Sequence, residues 1–360
     1  MSGKSGFDLA FKLVMPAQRP LKDSKVSIRG DSAAAWCCAH LLTNAGFKPT
    51  LHRTGRPRLP AIMLSEAALT LMRDVFERPD LFSTAPRITR RVVKWGRNAE
   101  PVAFDHAAVV VSERELLGEL EQETELAAEP TPNESDFTIF ASRPLPAGTV
   151  EHCFGSRIAA AAPVRLKDPG DSASCWIESL EDGWLFLIPN APESGWLLLV
   201  GCPLEAIHQR SSLIAGRIDL ISGASGQFPA SPRIVSPLCG PRWMACGTAG
   251  MAFDPICGDG TAHAVREAIL AAAVVRALST GGDAKELMRH YEARLTAGFQ
   301  RHLAASLDFY QSGNRGPWWE KELELLRRGL EWCAGQLHGY GEFRYRLDGF
   351  ELRSIDNSPA

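Results

Sequence analysis

Between Val26 and His52 the chain compresses a strand, a turn, a helix and a second strand into fewer than thirty positions. The run Val26–Arg29 reads as a strand. GDSAAAWCCAHLLTNAG then reads as an Ala-rich helix that stops at Gly46, a residue suited to the position just past a helix end. Residues 47–52 read as the second strand. Two strands joined by a helical crossover of this length pair in parallel, so the chain begins as an α/β unit.

Further along, a second helix is expected from Pro60 to Phe76, with apolar residues at 64, 68, 71, 72 and 75. Residues 107–127 begin as a strand over 107–111 and continue as a Glu-rich helix whose leucines at 116, 117, 120 and 126 form its buried stripe. The run EPTPNESD at 129–136 reads as a linker. From Phe137 to about Ile234 short apolar runs alternate with Gly, Pro, Asp and Ser turns, the pattern of a mostly antiparallel sheet. At Gly247 the texture returns to a glycine-rich loop that opens onto a long apolar helix, 261–278. Helices at about 283–312 and 317–335 follow, and GEFRYRLDGFELRS ends the chain as a strand or hairpin. The reading is therefore a domain interrupted by another and then completed.

Composition excludes several classes. Apolar residues make up 45% and charged residues 22%, enough for a sizeable core and too apolar for a disordered chain. A net charge of −3 gives no general attraction to nucleic acid. It is unevenly placed: 17 basic against 8 acidic residues in 1–100, and 2 against 10 in 101–150. The nine cysteines are odd in number and scattered, which fits a reducing compartment, and neither they nor the histidines have zinc-ligand spacing, so no metal site is expected. No apolar run is long enough to span a membrane and residues 1–20 lack a signal-peptide core. The expected location is the cytoplasm.

Two loops carry the chemistry. In the first, Gly30, Ser32 and Ala35 occupy the places of a dinucleotide fingerprint, with serine where the middle glycine belongs. The helix start behind them offers N–H groups to an anion. Gly-Asp-Ser here also has the look of an esterase nucleophile block, but the Asp-x-x-His that such enzymes use occurs nowhere in the chain. Gly-Lys-Ser at 3–5 lacks the upstream glycine of a P-loop. The second loop is Gly247-Thr248-Ala249-Gly250 followed by Asp254-Pro255-Ile256-Cys257-Gly258-Asp259-Gly260 and the helix from Thr261. Its glycines let backbone approach a planar ligand, and the helix start aims a positive dipole at it.

Both loops, in this order and separated by a β-rich insert, resemble the glutathione-reductase-type FAD flavoproteins. They are most similar to the branch of aromatic hydroxylases, geranylgeranyl reductases and tryptophan halogenases. GTAGMAFDPICGDGTAHAVREAILAAA follows that branch's C-terminal motif, and Trp184-Leu-Phe-Leu-Ile-Pro189 resembles the halogenase Trp-x-Trp-x-Ile-Pro, although taken alone that run reads better as a buried strand. The resemblance implies an α/β fold in which a glutathione-reductase-type FAD-binding domain (1–128 and 236–280) is split by a mostly antiparallel β substrate domain (137–235) and followed by a helical C-terminal region (281–360).

It further implies FAD as cofactor. Gly30, Ser32 and Ala35 would surround the pyrophosphate, and Gly247, Thr248, Asp254, Pro255, Gly258, Gly260 and Thr261 would lie along the ribitol and the flavin ring. Three departures stand out: Ser32 for glycine, Arg53 where an acid usually holds the ribose, and Thr248 for aspartate. The halogenase lysine has no counterpart, and Cys257 replaces the serine of the halide-associated Pro-x-Ser. The stretches RRVVKWGRNAEPVAFDHAAVVVSERELL and DPICGDGTAHAVREAILAAA resemble the flavoprotein maturases that act on protein-bound tryptophan during tryptophylquinone biogenesis.

The expected activity is thus an FAD-dependent monooxygenase acting on an aromatic small molecule or on a tryptophan of a partner protein. The alternatives are a reductase or halogenase-like enzyme of a small hydrophobic molecule, and a redox-inactive binding module. No second fingerprint for a nicotinamide is visible, so a separate flavin reductase is an expected partner. Trp95 and His106, which lie where the FAD domain feeds the substrate face, and Cys257 in the flavin loop are the candidate catalytic side chains. The bland alternatives are packing for Trp95, a polar strand start for His106 and an inert small thiol for Cys257.

Overall fold

The expected α/β unit forms around β1 (Val26–Arg29), whose carbonyl and amide edges pair in parallel with β2 (Thr50–His52) on one side and β6 (Phe137–Phe140) on the other. These coordinates, a computed structural model, describe residues 25–124, 135–224 and 226–355. Residues 1–20, Leu126, the 129–134 part of the expected linker and the side chain of Cys257 lie outside that description. Strands and helices are numbered in chain order. The central sheet runs β15-β16-β6-β1-β2, where β15 is Cys239–Gly240 and β16 is Trp243–Ala245. Helix α1 (Ala33–Asn44) packs against α5 (Gly260–Ser279). The contact is close because both present alanines, among them Ala34, Ala35, Ala268 and Ala271, all buried.

The larger sheet has nine strands in the order β12-β8-β11-β10-β9-β4-β5-β3, with β13 (Phe228–Pro229) also on β8. They are β3 (Ile62–Ser65), β4 (Arg87–Lys94), β5 (Val102–Val111), β8 (Ile158–Leu166), β9 (Ser174–Leu180), β10 (Gly183–Ala191), β11 (Ser194–Val200) and β12 (Ile218–Leu220). Alternation along its strands divides two cores. Trp184, Phe186, Ile177 and Cys175 turn toward the main core shared with the central sheet. Leu185, Leu187 and Trp176 turn to a smaller one closed by residues of the 202–218 segment, including the short helix α4 (Ile207–Arg210). The 184–189 run is therefore an interior strand.

A three-stranded sheet, β17-β14-β7, joins β7 (Val150–Cys153), β14 (Arg233–Ser236) and β17 (Met251–Ala252). The long helices α6 (Ala284–Gln311) and α7 (Pro317–His338) pack together, and the chain closes with the hairpin β18 (Tyr345–Asp348) and β19 (Glu351–Ser354). Helix α3 (Glu113–Gln122) starts at a Ser112–Glu115 capping box and buries Leu116, Leu117 and Leu120 as expected.

Three expectations change. The helix read from Pro60 begins only at Glu66: residues 62–65 form β3, pairing Leu64 with Val109, and Ser65 caps α2 (Glu66–Phe76) by accepting from Ala68 N–H at 3.2 Å. Cross-strand pairing outweighs the helical spacing there. The strand read at 107–111 begins earlier, at Val102, because residues 102–105 pair with β4, the basic strand that lies between β5 and β9. Finally, sheet membership cuts across the expected 137–235 block: β6 belongs to the central sheet, whereas β3, β4 and β5, from before the linker, belong to the large one.

Candidate functional site

The first loop leaves β1 at Gly30. Its φ of +123° is one that side-chain-bearing residues rarely adopt, and a Cβ there would stand 3.0 Å from the Ala141 and Ser142 backbone. Ser32 then caps α1, its hydroxyl accepting from Ala35 N–H at 3.4 Å. Ala33 and Ala34 carry first-turn N–H groups that no helix can satisfy internally, and no acid occupies that turn. The buried Asp31 is neutralised by an ion pair with Arg58 and accepts from Thr54 at 3.2 Å. Arg53 pairs with Glu121 and lies over the Trp36 ring at 5.3 Å.

The second loop comes against the first. Gly247 has φ +58°, and a Cβ on it would meet the Ala34 methyl at 2.9 Å. Its N–H donates to Glu267 at 2.7 Å. Glu267 is buried on α5 and burial pushes its pKa up to about 8, opposed by that hydrogen bond. Thr248 is exposed beside it.

Asp254 turns inward. It is fully buried, its Oδ1 caps Ile256 N–H at 3.0 Å and its Oδ2 lies 3.3 Å from Arg157 Nε. Arg157 also stands 3.1 Å from Glu322 on α7 and over the Tyr310 ring at 4.8 Å, while Ser156 donates N–H and O–H to the same Glu322 at 2.9 and 2.6 Å. Burial raises the Asp254 pKa and Arg157 holds it down. The N–H of Asp254 donates to His302 Nε2 at 2.8 Å. Burial drives the His302 pKa down to about 3, so the ring is neutral with its proton on Nδ1. Asp254 thus anchors the loop and leaves the ligand side to backbone.

Beyond Pro255, Gly258 (φ +64°) meets the large sheet: a Cβ there would lie 3.4 Å from Met63 Cε and 3.7 Å from Arg91 Nη2. Arg91 Nη2 donates to His106 Nε2 at 3.1 Å. Burial and then the Arg91 charge lower the His106 pKa, keeping the ring neutral with its proton on Nδ1. Asp259 accepts from Ser65 at 3.2 Å and pairs with Arg266, leaving the start of α5 without a side-chain cap. A Cβ on Gly260 would meet nothing within 4 Å, so Gly260 and the adjacent Thr261 border open space.

Of the candidate side chains, His106 is joined to the second loop through Arg91. Trp95 is not: its indole N–H donates to Phe309 O at 2.8 Å and its ring packs edge-on with Phe309, Tyr310 and Trp319. It is a joint between the sheet and the C-terminal helices. Neither Arg91 nor Met63 was among the candidate site residues. No local signal separates Arg91, which stands between Arg90 and Val92, from the other cations of β4; its contact with His106 does. Among the described residues no cluster of His, Cys, Asp or Glu could hold a metal, and no helix is long and apolar enough to cross a membrane.

The chain has the fold of the flavin-dependent halogenases and monooxygenases, as the resemblance implied. It is similar to the flavin-dependent halogenase CmlS with a TM-score of 0.67 at 18% identity, over 88% of this chain and 71% of the other. It is similar to QhpG, a peptidyl tryptophan dihydroxylase essential for tryptophylquinone cofactor biogenesis, with a TM-score of 0.66 at 16% identity, over 92% and 86%. Klebsiella pneumoniae HpxO, complexed with FAD and uric acid, matches with a TM-score of 0.57 at 14% identity, over 90% and 96%. No family model and no curated protein matches the sequence.

Proposed function

We propose that this chain is an FAD-dependent monooxygenase that oxidises an aromatic ring, a tryptophan side chain carried by a partner polypeptide. The observation behind it is that the second glycine loop meets both the first loop and one corner of the large sheet: Gly247 on Ala34, and Gly258 on Met63 and Arg91. The residues fit the cofactor. Gly30, Ser32, Ala35 and the start of α1 would hold the pyrophosphate, where acid-free first-turn N–H groups favour an anion. Gly247, Thr248, Arg53 and the backbone of Pro255, Gly258, Gly260 and Thr261 would line the rest, with Asp254 acting from beneath.

When bound, FAD would supply the electrons that activate O₂ for transfer to an electron-rich ring. The chain's own part is positional. Arg91 fixes His106 as a neutral imidazole whose Nδ1–H is left to donate to a substrate group. The cation of Arg91 beside Gly258 favours negative charge at the ring edge. Cys257 takes the place beside Gly258 and is assigned no chemical step.

A partner-borne substrate is favoured over a small hydrophobic molecule by the openness of this corner. Phe104 and Val102 on the same strand face are 46% and 60% exposed. Electrons would come from a separate flavin reductase. The test is O₂-dependent mass gain, in steps of one oxygen, on a tryptophan-containing peptide with reduced FAD supplied. A chain that binds FAD and leaves both peptide and free aromatic substrates unmodified would refute the assignment.

A further inference from the structure

Strand β5 is only half paired on its outer side. β3 joins it at Ala108–Val111, and among the described residues no backbone pairs with Val102–Ala107 on the side away from β4. Free edges of this kind accept another strand unless they are blocked. On the face that carries Val102 and Phe104 this one is not blocked by charge; Asp105, also exposed, lies on the other face. Val102, Phe104 and His106 share one face by alternation, and the register sets Val93 opposite Val102 and Arg91 opposite Phe104. The exposed apolar positions therefore lead along the strand, over about 13 Å at 3.3 Å per residue, to the corner where Arg91 meets Gly258.

Charge near that edge is mostly basic and lies one strand inward, on β4 and the turn after it, whereas the edge strand itself carries Asp105. Residues 87–106 carry Arg87, Arg90, Arg91, Lys94 and Arg97 against Glu100 and Asp105. Arg90 donates to Ser174, Arg91 to His106 and Lys94 to Ser212, and among the described residues none of the five cations has a carboxylate partner. A second copy of the chain would bring the same mostly basic charge and repel it. An acidic strand would be attracted.

We propose that the free edge of β5 docks an extended, acidic segment of the partner polypeptide, which adds as a further strand and presents its aromatic side chain at the His106–Arg91 corner. Main-chain hydrogen bonds supply the affinity of such strand addition and alternate side chains supply its specificity. The inference rests on reading that corner as the substrate end of the FAD site.

The experiment uses the full chain and a short synthetic peptide of alternating Glu and Val around one central Trp. Hydrogen exchange of the 102–107 amides should slow about tenfold or more at saturating peptide. A peptide with Lys for Glu should bind at least about tenfold more weakly, a gap that narrows in high salt. Phe104→Glu and Arg97→Glu should each weaken docking about tenfold while keeping the melting temperature and FAD affinity of the wild type. Exchange that does not slow at this edge, or that slows with protein concentration alone because a second copy pairs there, overturns the proposal. The two readings separate cleanly. Protection of the edge without oxidation of the peptide keeps docking and removes the assigned activity. Oxidation of free tryptophan without edge protection does the reverse.

Discussion

Replacing Arg157 by Met tests the internal support of the second loop. The guanidinium is the counter-charge for two carboxylates, Asp254 and Glu322, and all three side chains have no exposed surface. Methionine fills similar space and supplies no charge, so both acids are stranded. Removing one partner of a buried pair costs about 3–5 kcal/mol, and that is the loss expected at pH 7. The sign of the pH dependence follows from Asp254, whose pKa burial already raises and Arg157 restrains. Without Arg157 the rise is unopposed. A carboxyl whose folded pKa lies above its unfolded value adds stability below the unfolded value and loses it as pH climbs through the folded one. The penalty should therefore shrink on acidification, by about 1.4 kcal/mol per pH unit for each acid that stays protonated, or about 2–3 kcal/mol between pH 7 and pH 5 for one of them. Urea unfolding followed by tryptophan fluorescence at both pH values reads this directly, provided the denaturant slope is unchanged. A loss under about 1 kcal/mol at pH 7, or an equal loss at both pH values, would refute the buried ionic support.

Other outcomes follow from single contacts. Glu267, with a pKa near 8, should make the protein less stable as pH rises from about 4.5 to 8, and Glu267→Gln should flatten that slope by about 1 kcal/mol per pH unit. Replacing Arg91 by Met removes one of the two causes that depress His106, so the imidazole NMR titration should move upward toward 6.5; an unmoved curve means that the Arg91–His106 contact is not made. The His302 ring should remain neutral with its proton on Nδ1 in ¹⁵N spectra down to pH 5, since it accepts from Asp254 N–H; a protonated ring at pH 5 contradicts the geometry. Gly260→Val should fold with near wild-type stability, because a Cβ there meets no protein atom within 4 Å, and yet lower FAD affinity at least about tenfold; unchanged affinity displaces the proposed ring position.

Much of the fold was legible because its signals are local. The β1–α1–β2 unit is spelled by a glycine turn, an alanine-rich helix and a stop at Gly46, and α3 by its leucine stripe. What misled were strands whose character is set by distant partners. Residues 62–65 carry apolar side chains at spacings that suit a helix, and only pairing with Val109 and its neighbours makes them β3. The basic run 87–94 has no clean alternation, and only its pairing with β5 and β9 brings Arg91 to the second loop. Part of the site was visible for the same local reason: Gly30, Gly247 and Gly258 each hold a positive φ at a turn the sequence punctuates. Trp95 was read by its position in the chain, and its actual partners, Phe309 and Trp319, lie more than two hundred residues away. Asp254 was read as a ligand contact; its pairing with Arg157 and Glu322 depends on helices α6 and α7 folding back, which no local motif announces.

The central claim is that the two glycine loops form one FAD site against the large sheet. Titration of the purified chain with FAD, followed by quenching of tryptophan fluorescence and by the visible flavin bands, tests it most directly. Saturable binding of one FAD per chain is expected, weakened at least about tenfold in Gly260→Val. Absence of saturable binding by the wild-type chain up to about 100 μM FAD, or equal binding by both proteins, would contradict it.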